Sequence, residues 1–79
     1  MRVKVRLFAT LVRYVPGVKP GVPFEVELPD RSTLADLMNQ LSLPRKEVKV
    51  AFVSGRTQPL DFQLQHGNEV GIFPPIGGG

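Results

Sequence analysis

One stretch of this chain has helical periodicity, and the segments around it read as strands. In STLADLMNQL, residues 32–41, Leu34, Leu37, Met38 and Leu41 recur at i, i+3, i+4 and i+7, with Asp36, Asn39 and Gln40 on the other side. Thr33 is placed to cap the first turn, and Asp36 three residues later completes a capping-box pair. Pro44 is expected to stop the helix by disfavouring helical geometry at Leu43. Met38 reads as core filler, not as a ligand.

Either side of the helix the pattern changes to period two. RVKVRL (2–7) puts Val3, Val5 and Leu7 on one face and Arg2, Lys4 and Arg6 on the other, a face continued by Phe8. FEVEL (24–28) alternates Phe24, Val26 and Leu28 with Glu25 and Glu27. The two segments are close in sequence and suggest an antiparallel hairpin with a long loop, YVPGVKPGVP, that sets Lys4 and Arg6 against Glu25 and Glu27. VKVAFV (48–53), an apolar and β-branched run, reads as a buried strand whose facing parity does not fix. SGR turns it, and PLDFQL (59–64) offers Leu60, Phe62 and Leu64 to cover a sheet edge or core rim. HGNE is a turn, with His66 a solvent-facing turn residue, and EVGIF is the last strand.

The inventory excludes much chemistry. With no cysteine and one histidine, a single copy of the chain cannot build a thiolate site, a disulfide framework, a catalytic triad or a His-rich metal site. The seven carboxylates form no paired cluster, so neither catalytic residues nor metal ligands are assigned. The first nineteen residues carry five basic side chains and no acid, yet they alternate as a strand, unlike an amphipathic transit peptide or a signal peptide. No stretch approaches the ~18 apolar residues of a membrane span, which predicts a cytoplasmic protein without membrane association. Nucleic-acid binding would rest on the formal charge of +3 alone, and no nucleic-acid partner is expected.

The order strand, strand, helix, strand, short segment, strand in 79 cysteine-free residues resembles the β-grasp or ubiquitin-like fold. That is an α+β class, a mixed sheet of four to five strands over one main helix, with first and last strands adjacent and parallel. The closing EVGIFPPIGGG is similar to the C-terminus of the MoaD/ThiS family of sulfur carrier proteins, and VRLFATLVRYV and STLADLMNQL also resemble that family. The Phe-Pro-Pro step leans toward the MoaD type, the small subunit of molybdopterin synthase, with a thiamine-type carrier also compatible. The division expected is a β-grasp domain over residues 1–76 and a flexible glycine tail over 77–79.

The resemblance implies a carrier, not an enzyme. It binds no cofactor; the Gly79 carboxylate is adenylated with ATP by an activating enzyme of the MoeB/ThiF type, and a sulfur donor then replaces AMP to leave a thiocarboxylate. The acceptor would be the molybdopterin synthase large subunit or a thiazole synthase. Gly77 and Gly78 suit a tail threaded into a narrow channel, because a Cβ there would clash. Pro74 and Pro75 end the last strand and stiffen the exit; six extended residues from Pro74 reach up to roughly 20 Å.

If Val70 and Ile72 face the core, Phe73 joins Phe8 on the outer face at the tail's exit, and Pro74, Pro75 and Ile76 continue a partner-binding patch. Coverage of one or both rings by the 10–22 loop stays open, and Thr57 stands where the family leads one to expect another apolar patch residue. A ubiquitin-like modifier, joined to lysines through the same Gly79, needs the same ending.

Overall fold

The β-branched and aliphatic residues of β1 (Arg2–Leu7) are wholly buried at Val3, Val5 and Leu7, while the cations between them stay at the surface. A computed structural model describes residues 1–75. Beyond β1 come a 3₁₀ turn (Ala9–Tyr14), β2 (Phe24–Glu27), α1 (Leu34–Gln40), a second 3₁₀ turn (Arg45–Glu47), β3 (Val50–Val53), β4 (Arg56–Thr57) and β5 (Glu69–Phe73). They build one mixed sheet in the order β2-β1-β5-β3-β4. β1 and β5 are parallel and adjacent at its centre, in the register Val5 with Val70 and Leu7 with Ile72. All other pairings are antiparallel. This is the β-grasp architecture that the sequence predicts.

One face of the sheet and one face of α1 close the core, in which Leu7, Leu11, Leu34, Leu37, Met38, Leu64 and Ile72 are among the largest fully buried side chains. A helix of seven residues is not stable on propensity alone, so burial of its apolar stripe holds it. Its start is as expected: the Asp36 N–H donates to Thr33 Oγ1 at 3.2 Å and the Thr33 N–H to Asp36 Oδ2 at 2.9 Å. Its stop is not. Leu41 already ends the helix, and Ser42 at φ 59° lets its own N–H donate to the Asn39 carbonyl while the Leu43 N–H donates to Met38. This Schellman-type closure leaves Pro44 nothing to terminate.

The hairpin register also corrects one pairing. Glu27 lies opposite Arg2 and Glu25 opposite Lys4, with Arg2 3.0 Å from Glu27. Arg6 reaches across to Glu69 on the parallel neighbour instead, at 3.4 Å. These pairs are exposed and contribute little to stability. The 48–53 run enters β3 only at Val50, since residues 45–47 coil first; Ala51 and Val53 are buried and Phe52 faces outward. Of the 59–64 segment, Leu64 enters the core and Phe62 packs on it, but Leu60 is exposed. The carbonyls of Leu60 and Phe62 accept the N–H groups of Ala35 and Leu34, so the segment caps α1 with its backbone. His66 is exposed but has work: its Nδ1 accepts the Arg2 backbone N–H at 3.0 Å, clipping the turn to the start of β1. Among the described residues no helix is long and apolar enough to cross a membrane.

Candidate functional site

Because β1 and β5 run in the same direction, their ends lie side by side. Phe8 follows the last residue of β1 and donates its N–H to the Ile72 carbonyl at 3.2 Å, so its ring stands next to that of Phe73. Ala9 then adopts a left-handed conformation, φ 54°, which turns the chain away and leaves Phe8 as the last outward residue of this strand line. The two rings stack with centroids 4.2 Å apart and planes inclined by 3°. The facing read from alternation therefore brings together the two aromatic residues it singled out.

They are half-buried, not fully exposed. Each covers the other, and Gly21 of the long loop lies close enough that a Cβ there would meet one edge of the Phe8 ring at 3.5 Å. Beneath them lies Gly71, from which a Cβ would meet Phe8 at 3.5 Å and Phe73 at 3.6 Å. Nothing larger than a methyl group fits at position 71 beneath the two rings, and the glycine lets both lie down on the sheet.

A third ring completes the patch, and sequence reasoning missed it. Phe52 of β3 presents an edge to Phe73 at 5.6 Å and 77°. Phe52 pairs with Gly71 on one side and Thr57 on the other, so it occupies the region where Thr57 falls short of an apolar side chain. Pairing VKVAFV antiparallel to EVGIF could have found it, since that register sets Phe52 opposite the outward-facing Gly71. Together these residues wall an open depression of about 630 Å³, with Arg6 and Glu69 at its polar side.

The strand is held to its last residue, since the Lys49 N–H donates to the Phe73 carbonyl at 2.8 Å. Pro74 is half-buried and Pro75 exposed, and neither belongs to a strand. Ile76, Gly77, Gly78 and Gly79 lie outside the described residues. Among the described residues no group of three or more His, Cys, Asp or Glu side chains is placed to hold a metal ion.

A mixed sheet laid on one helix, with its terminal strands parallel at the centre and an aromatic patch where the last strand runs out, defines a ubiquitin-like β-grasp domain. Solved structures agree. SAMP1 of Haloferax volcanii superposes with a TM-score of 0.75 over the whole of both chains at 19% identity. A Pyrococcus furiosus protein described as molybdopterin converting factor subunit 1 gives 0.74 at 28% identity, over 96% of this chain and 99% of that one. The complex of subunits 1 and 2 of the molybdopterin-converting factor from Helicobacter pylori gives 0.63 at 22%, with all of both chains covered. At 19% and 22% the likeness is one of fold. A sequence search of curated proteins returned no match. The chain belongs to the ThiS family, whose model matches residues 5–79 and so includes the Gly-rich ending.

Proposed function

We propose that this protein is a sulfur carrier of the MoaD/ThiS type, a co-substrate that partner enzymes load and discharge at Gly79. The observation that carries the reading is the stacked Phe8–Phe73 pair at the point where β5 gives way to Pro74 and Pro75. A docking patch immediately before a Gly-Gly-Gly ending lets one partner grip the domain and receive its terminus together. Family membership and the 28% identity to the P. furiosus protein support a molybdopterin-type role.

The chemistry follows from the terminal carboxylate. An ionised carboxylate, of pKa ~3.5 in model peptides, is a poor electrophile. Attack of its oxygen on the α-phosphorus of ATP expels pyrophosphate and gives an acyl adenylate, from which a sulfur nucleophile displaces AMP. The thiocarboxylate so formed would pass its sulfur to an acceptor enzyme, a role for which a molybdopterin-converting large subunit is the candidate. Incubation with the ATP-dependent activating enzyme and a sulfur donor should exchange one oxygen for sulfur in the intact mass. If deletion of Gly78 and Gly79 leaves that conversion unchanged, the reading fails. Lysine conjugates in a cell lysate would instead identify a modifier.

A further inference from the structure

The helix side of the sheet carries a second depression, of about 240 Å³, in the seam between α1 and β3. Met38 and Ala51, both buried, lie at its bottom. The segment leading into β3 contributes Arg45 and Lys49 to its lining, and the segment after β4 contributes Pro59 and Leu60. Ala51 points into the core whereas Phe52 and the other two rings point outward, so this seam and the aromatic patch occupy opposite faces of the sheet.

Both segments are fixed by backbone hydrogen bonds. The Val48 N–H donates to the Arg45 carbonyl at 3.1 Å and the Lys49 N–H to the Phe73 carbonyl at 2.8 Å. On the other side the Gln58 N–H donates to the Ala51 carbonyl at 3.1 Å, and the Leu60 carbonyl accepts the Ala35 N–H at 2.9 Å. The hollow is thus formed in advance, and little backbone ordering is left for an incoming group to impose. Leu60 is held by its backbone while its side chain stays 38% exposed, beside two exposed cations. Arg45 and Lys49 form no ion pair with any carboxylate among the described residues, and Glu47 between them lies 3.9 Å from Arg13. Lys19, Arg31 and Arg56 are also without ion pairs there, so free charge alone marks nothing. What sets Arg45 and Lys49 apart is the apolar hollow that they line with an exposed leucine.

We propose that this seam docks a segment of a second protein in which an aliphatic side chain stands next to carboxylates. The aliphatic group fills the hollow against Met38, Ala51 and Leu60, and the carboxylates pair with Arg45 and Lys49. A small-molecule site typically encloses ~300 to 1,000 Å³, more than this hollow offers, so a single protein side chain fits it better. No aromatic ring lines it for a base to stack on, and two cations are fewer than the roughly four to eight of a basic cluster that holds anionic lipid. Because the seam faces away from the rings, its occupant can stay docked while another protein holds the aromatic patch.

The test is an NMR titration of the nitrogen-15-labelled full chain with the capped peptide Glu-Asp-Leu-Leu-Asp-Glu and with its basic counterpart Lys-Lys-Leu-Leu-Lys-Lys. The acidic peptide should shift the amide signals of Lys49, Ala51 and Leu60 with a dissociation constant of about 1 mM or tighter, leaving those of Arg6 and Gly71 on the opposite face unmoved. Leu60→Ala should weaken it at least about fivefold. Arg45→Glu/Lys49→Glu should weaken it at least about tenfold and bind the basic peptide instead. All three positions are exposed, so thermal melts should match the wild type; if the double variant does not fold, Lys49→Gln takes its place with a loss of about threefold. No shifts at about 5 mM acidic peptide, equal binding of the two peptides, or shifts confined to the ring face overturn the proposal and leave the carrier reading standing. Tighter binding to phosphatidylserine vesicles or to single-stranded DNA than to the acidic peptide, at the same salt, also overturns it.

Discussion

Replacing Gly71 by valine should separate docking from folding. The backbone at Gly71 is not left-handed, and the position lies inside a strand, where a β-branched residue is favoured over glycine by up to ~1 kcal/mol. The new Cβ alone is tolerable, since 3.5 and 3.6 Å to the two rings is ordinary contact. The two methyl groups are not. Each projects about 1.5 Å further and needs about 3.5 to 4.0 Å of clearance, and together they occupy two of the three staggered positions around Cβ. At least one ring has to leave the stack, which forfeits about 0.5 to 1.5 kcal/mol of aromatic pairing and the shape of the patch. The expected outcome is a melting temperature equal to or above that of the wild type. Affinity for the activating enzyme, read by isothermal titration calorimetry, should fall at least about tenfold, equivalent to roughly 1.4 kcal/mol. Gly71→Ala should bind as the wild type does. A valine variant that docks with undiminished affinity would refute the reading of Gly71 as the gap that seats the rings, and a variant that unfolds would refute the claim that only the surface is at stake.

Phe73→Ala and Phe52→Ala should each weaken docking, the first by about 2 kcal/mol or more, while circular dichroism shows a folded domain. Leu37→Ala, in the fully buried stripe of α1, should cost about 2 to 5 kcal/mol, and a denaturant titration in which the midpoint barely moves would contradict the core assignment. Ser42→Gly removes a non-glycine residue from left-handed geometry at the helix end and should stabilise the fold by about 0.5 kcal/mol in the same titration.

Legibility in the sequence tracked how many faces of an element are apolar. RVKVRL and EVGIF each have one wet face, so alternation alone sends Val3, Val5, Leu7, Val70 and Ile72 inward and Phe8 and Phe73 outward, and the rings were found from parity. In VKVAFV the one charge, Lys49, shares its parity with Ala51 and Val53, which are buried, so parity misleads there and the outward position of Phe52 becomes visible only once β3 is paired with β5. The helix start was legible because Thr33 and Asp36 act within one turn. Its stop was not, because Ser42 takes a conformation that sequence usually announces with glycine. Arg6 finds Glu69 across a parallel pairing 63 residues apart, and His66 accepts from Arg2 across 64, contacts that no local pattern encodes. Leu60 was grouped with Phe62 and Leu64 by composition, whereas its backbone carbonyl, not its side chain, makes the contact that matters to α1.

The central place of β5 has a mechanical consequence. A pull on the C-terminus acts along the axis of a strand bonded on both sides, to β1 in parallel and to β3 in antiparallel register. Traction then loads both ladders in shear, so several hydrogen bonds must yield at once. An edge strand such as β2 would instead be unzipped one bond at a time. Forced unfolding is governed by the barrier to that first cooperative rupture. This strand order thus makes the domain resist traction on its C-terminal end, and a chain with its last strand at the sheet's edge would lack that resistance.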